Sequence, residues 1–374
     1  MNADPAELVL IGKNATRLWG MSVDERVRRI AGKQNIRVAE QPPATGPVLL
    51  VNRRFVFDPP WLREIARRPG TALTLGGEPA IAHVVDAAQR DLVCRAVQGE
   101  SMDLAAGGLT LAAHEAGATL VNAELRKREQ PFLLPLDPST VRAAERASYF
   151  GAYKGVTDLL TKYLWPEWAL VLTRLAAALG ITPNMVTALG ATLCVAATLL
   201  FWHGYYWIGM ATGLGFMVLD TVDGKLARCT ITSSKLGNVL DHGLDLIHPP
   251  FWWWAWEVGL APYGRPLNPH SARLVLIVII AGYVVQRVIE GIFMRGFGMH
   301  IHIWRRIDSW FRLITARRNP NMVILFVCML VARPDWGLVA LAWWTVLSCL
   351  FHLVRLVQAF IVRARGGAIR SWLD

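Results

Sequence analysis

The chain has 374 residues, a formal net charge of +11 and a mean hydropathy of +0.33. Its hydrophobic content of 53% excludes intrinsic disorder, and this hydropathy disfavours a wholly soluble basic protein such as a nucleic-acid binder. Because 18% of the residues are charged, a chain embedded entirely in a membrane is disfavoured as well. The composition therefore predicts a soluble part and a membrane part, with anionic lipids and phosphate groups rather than nucleic acid meeting the positive charge.

The first part of the chain carries charges every few positions and has the pattern of a soluble α/β domain. Short apolar runs at 8–11 and 48–51 are typical of buried strands. A helix is predicted at 61–68, directly after two prolines, and a hairpin at 71–82, across a Gly-Gly pair. We therefore expect a soluble α/β domain over residues 1–150.

A juxtamembrane helix that lies on the cytoplasmic leaflet is predicted over residues 151–182. Charged residues interrupt its apolar positions, and Pro166 predicts a kink or a new helix start. A simple linker helix would have the same pattern and remains the alternative. The apolar residues that recur at helical spacing are Leu159, Leu160, Tyr163, Leu164, Trp168, Val171 and Leu172.

Six membrane helices are predicted next, so that residues 183–374 form a six-span domain. The 45 residues between Arg174 and Asp220 contain no Asp, Glu, Lys or Arg, and a span needs about 20 apolar residues, so this tract can hold two spans. In the fourth span Arg287 and Glu290 are three residues apart. This spacing predicts an ion pair, which would lower the free-energy cost of placing the two charges in the membrane. The predicted spans are 184–202, 205–225, 237–259, 272–294, 320–333 and 336–355.

The basic residues of the loops predict how these spans are oriented. They concentrate on the 2–3 connection, the 4–5 connection and the C-terminal tail, whereas the loops on the other side carry few. The positive-inside rule then places both termini, the soluble domain and the Arg-rich 4–5 loop in the cytoplasm. The expected location is a bacterial-type inner membrane. The basic residues are Lys225, Arg228, Lys235, Arg295, Arg305, Arg306, Arg312, Arg317, Arg318, Arg363, Arg365 and Arg370.

Four carboxylates lie on two neighbouring predicted spans. Asp220 and Asp223 share one face of span two, and Asp241 and Asp245 share one face of span three, because helical residues three or four apart are neighbours. Without compensation these charges would be costly at membrane depth and would repel one another. Two hard divalent cations, Mg²⁺ or Mn²⁺, would neutralise all four.

Small residues and one arginine accompany these carboxylates. Gly224, Ala227 and Gly237 leave room for a ligand or for close helix approach, and Arg228 offers a guanidinium to phosphate. These residues predict a metal-dependent phosphoryl-transfer site at the membrane surface. The alternative is a set of helix-end acids paired with Lys225, Arg228 and Lys235.

From Asp220 to Asp245 the chain follows D-x2-D-G-x2-A-R-x8-G-x3-D-x3-D. This pattern resembles the signature of the CDP-alcohol phosphotransferases, also called CDP-alcohol phosphatidyltransferases, and the resemblance covers roughly residues 154–360. It implies two divalent metals held by the four aspartates Asp220, Asp223, Asp241 and Asp245. It also implies a CDP group near Gly224, Ala227, Arg228 and Gly237, Asp245 as the base that deprotonates the acceptor, and a homodimer.

Two further segments carry candidate substrate contacts. The motif TPN-x-V-T at 182–187 is similar to one that family members often have near the nucleotide, which implicates Asn184 and Thr187, whereas helix capping is the alternative. In relatives with phosphorylated acceptors, basic residues near the start of span five form an acceptor pocket. Arg317 and Arg318 are the candidates here, and positive-inside charge is the alternative.

The resemblance implies an integral membrane enzyme of phospholipid biosynthesis. It would transfer a phosphatidyl or other phospho-alcohol group from a CDP-alcohol to an acceptor hydroxyl and release CMP. CDP-diacylglycerol with a small polar acceptor is the preferred pair, and a soluble CDP-polyol donor of the inositol-phosphate type is the alternative. Outside the enzymes, the alternative is a catalytically silent membrane scaffold.

Some members of this family are fused to a nucleotidyltransferase that makes the donor, and the layout of residues 1–150 resembles that domain weakly. Active nucleotidyltransferases have a glycine-rich phosphate loop and a metal-binding Asp after a central strand. This chain has only Gly12 in the first place and Asn52-Arg53-Arg54 in the second. We therefore expect a degenerate, inactive domain, with an unrelated regulatory α/β domain as the alternative.

Overall fold

The computed structural model of the protein describes residues 7–43 and 46–374. The side chains at positions 235, 236, 238, 240, 241 and 242 are not described, so the predicted metal ligand Asp241 lies outside the described residues. The chain divides into two compact units. The first unit comprises Met1–Tyr153, Arg174–Gly180 and Lys225–Thr232, and the second comprises Lys154–Thr173, Ile181–Gly224 and Ser233–Asp374.

A mixed β-sheet lies at the centre of the first unit. The strands, in chain order, are β1 (Glu7–Ile11), β2 (Val38–Ala39), β3 (Val48–Asn52), β4 (Phe55–Phe57), β5 (Thr71–Leu75), β6 (Glu78–Val84), β7 (Thr110–Ala113), β8 (Leu120–Asn122), β9 (Lys127–Glu129) and β10 (Leu133–Pro135). Six of them form one sheet in the order β2-β1-β3-β6-β5-β7. Strand β1 is parallel to β2 and β3, whereas β6 is antiparallel to β3 and β5.

Four helices belong to the same unit, namely α1 (Val23–Lys33), α2 (Pro59–Ala66), α3 (Ala87–Val97) and α4 (Val141–Gly151). Ser22 begins α1 because its hydroxyl accepts a hydrogen bond from Glu25 N at 3.1 Å. All five residues of β3 are buried, as its continuous apolar sequence predicts. The predicted strands, the helix after the two prolines and the β5–β6 hairpin are therefore confirmed, with helix α2 ending two residues earlier than predicted.

After α4 the chain is almost entirely helical. A π-helical turn at Leu160–Leu164 comes first, and a new helix begins at Pro166, as proline at this position predicts. The helices are α5 (Pro166–Ala178), α6 (Pro183–Trp202), α7 (Tyr206–Cys229), α8 (Lys235–Gly259), α9 (Pro269–Phe297), α10 (Arg306–Arg312), α11 (Arg318–Leu330) and α12 (Pro334–Ala364). Each of the six predicted spans thus corresponds to one helix, α6 to α9, α11 or α12.

Three of the described helices, α6, α9 and α12, are long and apolar enough to cross a membrane by length and composition. Helix α11 is apolar but has only 13 residues. Helices α7 and α8 carry the four aspartates. The fold is therefore an α/β unit with a helical unit that contains three candidate membrane spans, and the count of six spans remains a prediction.

Local sequence explains where the helices that carry the candidate site begin. Thr182 Oγ1 accepts a hydrogen bond from Met185 N at 3.3 Å, and Pro183 is the first residue of α6. Ser234 Oγ accepts from Gly237 N at 3.0 Å and so begins α8. Helices α6 and α8 pack together, and Trp252 Nε1 donates to Cys194 O at 3.2 Å between them.

Candidate active site

Arg318 brings together two of the predicted metal ligands, Asp220 of α7 and Asp245 of α8. Arg318 Nη2 is 2.6 Å from Asp220 Oδ2, and Nη1 is 2.7 Å from Asp245 Oδ1. The side chains of Arg318 and Asp220 are 11% and 15% exposed, whereas that of Asp245 is 48% exposed. Carboxylates from two helices thus converge on one cation, and about half of the Asp245 side chain is not covered by the protein.

The position of Arg318 is fixed by contacts on several sides. Its guanidinium carbon lies 4.8 Å from the centre of the Phe216 ring, a favourable cation–π distance. Its Nε donates to Asn319 Oδ1 at 3.0 Å, and Asn319 Nδ2 in turn donates to Asp158 Oδ1 at 3.0 Å. A buried aspartate on the segment before α5 therefore anchors the start of α11, and Arg318 with it.

Asp158 is ionised in this environment. Burial by itself raises the pKa of its carboxyl, but the nearby Arg312 and the hydrogen bonds from Thr161 and Asn319 more than offset burial and hold the pKa below its usual value. Thr161 N donates to Asp158 Oδ1 at 3.0 Å, and Thr161 Oγ1 donates to Oδ2 at 2.8 Å. The charge on Asp158 adds a third carboxylate near the start of α11, beside Asp220 and Asp245.

Asp223, the third predicted ligand, is buried and lies against the start of α6. Thr187 Oγ1 donates to Asp223 Oδ2 at 2.6 Å, a length typical of a hydroxyl bonded to a carboxylate. Only 4% of Asp223 is exposed. Thr187 was predicted to contact the nucleotide; the structure places it on a predicted metal ligand, where it orients the carboxylate.

Gly237 and Asn184, two predicted nucleotide contacts, are neighbours. A Cβ added to Gly237 would lie 3.2 Å from Asn184 Oδ1 and 3.1 Å from Ser234 Oγ, both tighter than ordinary contacts. A larger residue here would require Asn184 and Ser234 to shift by a few tenths of an ångström, so glycine suits the close approach of α8 to the start of α6.

The other predicted nucleotide contacts, Gly224, Ala227 and Arg228, lie on the last turns of α7. Arg228 Nε donates to Ala152 O at 3.1 Å, and Lys225 Nζ donates to the same oxygen at 3.0 Å. Both basic side chains are thus directed to the C-terminal end of α4, where a helix carries partial negative charge.

Arg317 contacts a partly buried glutamate, Glu290, rather than the aspartates. Its Nη2 is 2.6 Å from Glu290 Oε2, and Arg287 Nη2 is 2.8 Å from Glu290 Oε1, which confirms the predicted ion pair between Arg287 and Glu290. His302 Nε2 is 3.3 Å from the same Oε1. The two adjacent arginines therefore have different surroundings.

The ligand atoms of Glu290, His302 and His352 lie within 4.8 Å of one another, which is close enough to suggest a metal site. The charges argue against a cation, since the carboxylate already binds the guanidiniums of Arg287 and Arg317. Burial is the main reason why the pKa of His302 lies well below its usual value, so this ring is neutral. A divalent ion would have to displace Arg317 and would add charge to a cluster that is already positive.

Polar atoms remain unsatisfied around Arg317. Among the described residues, the Nε atoms of Arg287 and Arg317 and both ring nitrogens of His352 are buried without a hydrogen-bond partner. Such groups in native structures call for a ligand, water or ion, and cationic donors favour an anion. The sequence pattern did not identify His352 or Asp158, because neither belongs to a motif. His352 is recognised by its burial in the apolar helix α12, and Asp158 by its contact with Asn319.

The chemistry of the donors fits a divalent metal. Asp220 and Asp245 already bind one cation, the Arg318 guanidinium, and Asp223 lies one turn from Asp220 on α7. Carboxylate oxygens are the ligands that Mg²⁺ and Mn²⁺ prefer. The Arg318 guanidinium between Asp220 and Asp245 shows that these carboxylate oxygens are positioned to bind a cation.

Several known proteins resemble this chain. Residues 180–309 match the family model described as CDP-alcohol phosphatidyltransferase. Cholinephosphotransferase 1 of Gallus gallus is 34% identical over 134 residues, which are 32% of this chain and 38% of that protein. Choline/ethanolaminephosphotransferase 1 of Arabidopsis thaliana is 31% identical over 161 residues, which are 35% of this chain and 40% of that protein. The chain thus spans about two fifths of the length of these relatives.

A solved structure was also found to be similar. The crystal structure of Mycobacterium tuberculosis phosphatidylinositol phosphate synthase with CDP-DAG bound has 22% sequence identity and a TM-score of 0.36. The match covers 50% of this chain and 92% of that chain. A TM-score of this size is too low to equate the two folds.

Proposed function

We propose, from the premise that residues 180–309 belong to the CDP-alcohol phosphatidyltransferase family, that this chain is an integral membrane CDP-alcohol phosphotransferase. It transfers a phosphatidyl or other phospho-alcohol group from a CDP-alcohol to an acceptor hydroxyl and releases CMP. The observation that carries the proposal is the convergence of Asp220 and Asp245 on a single cation, the Arg318 guanidinium, within the family's motif.

Two divalent ions, Mg²⁺ or Mn²⁺, would be held by Asp220, Asp223, Asp241 and Asp245. When bound, they supply electrostatic stabilisation to the attacking and leaving oxygens of phosphoryl transfer. Thr187 orients one of the ligands through its 2.6 Å hydrogen bond to Asp223. Asn184, Gly224, Ala227, Arg228 and Gly237 would hold the CDP group.

Asp245 is the proposed base for the acceptor hydroxyl. Its side chain is 48% exposed, so an acceptor can reach it. A carboxylate that is paired with an arginine is a weak base, because the guanidinium stabilises the ionised form. Proton abstraction by Asp245 therefore requires that Arg318 leave the carboxylate or shift toward the phosphate of the bound substrate.

Arg317 and Arg318 are the proposed contacts to phosphate on the acceptor side. Arg318 lies on the catalytic carboxylates, and Arg317 lies beside buried donors that lack partners. These cationic donors support a small polar, phosphate-bearing acceptor, and CDP-diacylglycerol is the proposed donor. A soluble CDP-polyol donor of the inositol-phosphate type remains the alternative, and the names of the relatives add choline and ethanolamine as alcohols to be tested.

The protein is proposed to be a multi-pass protein of a bacterial-type inner membrane. Both termini and the α/β domain over residues 1–150 would lie in the cytoplasm. The three long apolar helices and the basic loops support this arrangement. The segment 151–182 would lie on the membrane surface, since Tyr163, Trp168 and Leu179 are exposed apolar residues along it. The family resemblance is the ground for proposing a homodimer. The α/β domain is proposed not to catalyse nucleotidyl transfer.

The experiment is a CMP-release assay with the purified full chain, supplied with CDP-diacylglycerol, CDP-choline or a CDP-polyol and a panel of acceptors, with and without Mg²⁺ or Mn²⁺. Asp241→Asn and Asp245→Asn should each slow CMP release about 100-fold or more. Glu257→Gln on the same helix is the matched control and should retain activity. If both aspartate variants release CMP at the wild-type rate, the mechanism is wrong; if the wild type releases none with any donor, the silent scaffold is favoured.

A further inference from the structure

The C-terminal end of α7 is held by two arginines from helix α1 of the first unit. Arg26 Nη1 donates to Cys229 O at 2.9 Å, and Arg29 Nη1 donates to Thr230 O at 2.7 Å. Only 4% of Arg26 is exposed. The last carbonyls of a helix have no partner within the helix, and cations are favourable there. Both arginines therefore satisfy and neutralise the end of the helix that carries the motif.

This helix end also has an unusual backbone. Thr232 N donates to Ala227 O at 2.8 Å and Ile231 N donates to Arg228 O at 3.3 Å, the pair of hydrogen bonds of a Schellman cap. In such a cap the left-handed position is normally glycine, but here it is Ile231, with φ of 55°. A β-branched residue is strained in this region and keeps the conformation only when its surroundings enforce it.

The contacts run in the opposite direction as well. Lys225 and Arg228 both donate to Ala152 O at the C-terminal end of α4, and Lys225 Nζ lies 2.9 Å from the centre of the Tyr153 ring. The C-terminal ends of α4 and α7 thus each receive two cationic side chains. The turn 225–232, which contains Ala227 and Arg228, is fixed at both its backbone and its side chains.

We infer that Arg26 and Arg29 are positioning residues, through which helix α1 holds the last turn of α7, within the first unit, in the conformation that presents Arg228 to the CDP group. The inference rests on the proposed function, because it takes Ala227 and Arg228 as nucleotide contacts. It gives helix α1 a role that requires no nucleotidyltransferase chemistry. Arg26 and Arg29 act only through the helix end and do not touch the substrate.

The test uses the purified full chain and the double variant Arg26→Gln/Arg29→Gln. Arg28→Gln is the control for loss of positive charge from α1, since Arg28 is exposed on the same helix; it removes one charge, whereas the double variant removes two. The first measurement is hydrogen exchange of the amides in 225–232. Loss of two charge-assisted hydrogen bonds should accelerate exchange of Ile231 and Thr232 about tenfold or more in the double variant.

The second measurement is the affinity for CMP together with donor kinetics. The double variant should bind CMP about tenfold more weakly and raise the donor KM by a similar factor, with kcat within about twofold of wild type. Arg26→Lys, which keeps a cationic donor, should recover part of the loss. Thermal unfolding of each variant identifies one that has merely failed to fold.

Unchanged exchange in 225–232 would overturn the clamp itself. Faster exchange with unchanged CMP affinity and KM would overturn the positioning of the nucleotide site. If the wild type binds no CMP and has no activity, the proposed function fails instead, and the exchange measurement still decides whether the two arginines hold the helix end.

Discussion

Arg318 at the start of α11 forms an ion pair with Asp220 of α7, with 2.6 Å between Nη2 and Oδ2. The two residues are 98 positions apart in sequence. The same guanidinium reaches Asp245 on α8. One cation thus joins three helices at the carboxylates that are proposed to bind metal. Since a guanidinium and a divalent ion seek the same oxygens, the two must compete or divide the carboxylates between them.

Replacing Arg318 should strengthen metal binding and weaken catalysis. In Arg318→Gln the carboxylates of Asp220 and Asp245 lose their cation, so Mn²⁺ should bind about tenfold more tightly. CMP release at saturating Mn²⁺ should nevertheless fall, because the acceptor phosphate loses a contact. Mn²⁺ affinity is measured by electron paramagnetic resonance. Arg317→Gln, whose guanidinium lies on Glu290, should leave Mn²⁺ affinity unchanged; equal affinities in wild type and Arg318→Gln would contradict the competition.

Replacing Thr187 should weaken metal binding without unfolding the protein. Thr187→Val removes the hydroxyl that donates to Asp223 Oδ2, and loss of such an orienting partner costs about tenfold in metal affinity. Thr192→Val is the control, because Thr192 is exposed on the same helix and its hydroxyl bonds only to Ala188 O in the described structure. A Thr187→Val variant with wild-type Mn²⁺ affinity would show that Asp223 needs no support from α6.

Replacing Glu290 should destabilise the helical unit. Glu290→Gln leaves Arg287 and Arg317 without their carboxylate; breaking a fully buried ion pair from one side costs about 3–5 kcal/mol, and this partly buried cluster should lose about 2–3 kcal/mol. The thermal midpoint of the full chain in detergent should fall accordingly, while Glu257→Gln should leave it near wild type. Because the cluster is positive, added Zn²⁺ should not raise the midpoint of the wild type; stabilisation by Zn²⁺ would instead indicate a metal site at Glu290, His302 and His352.

Asp58 should make the stability of the α/β unit depend on pH. Burial, with a contribution from Glu129, raises its pKa to about 6, although Lys127 and Arg26 oppose the shift. A carboxyl whose pKa is raised on folding stabilises the fold below its unfolded pKa and loses that stabilisation as the pH rises through the folded pKa. Between about pH 4 and 6 the wild type should therefore lose on the order of 1–2 kcal/mol, a value reduced to allow for partial exposure.

The matching variant is Asp58→Asn, which cannot ionise. Thermal unfolding of both proteins is measured from pH 4 to pH 8. The free energy of unfolding of the variant should exceed that of the wild type by an amount that grows up to about pH 6 and is then constant. A difference that is the same at every pH would show that Asp58 does not titrate in this range.

The helices and the motif could be predicted from the sequence, because they depend on local patterns. The helix that contains Pro183 begins where Thr182 and proline predict, and the spacing of Asp220 and Asp223 puts both on one side of α7. The different surroundings of Arg317 and Arg318 could not be predicted. The two are adjacent in a basic loop, and only the path of α9 and α7 past them directs one to Glu290 and the other to Asp220.

By itself the sequence determined the two-part architecture, the helix positions and the set of residues within the motif, since hydrophobic periodicity, helix caps and residue spacing act over a few residues. Tertiary structure alone decided that Arg318 neutralises the aspartates, that Asp158 anchors α11 and that Arg26 and Arg29 hold the end of α7. These contacts join residues 98, 161, 203 and 201 positions apart. Their partners are chosen by the geometry of packing, which no local pattern specifies.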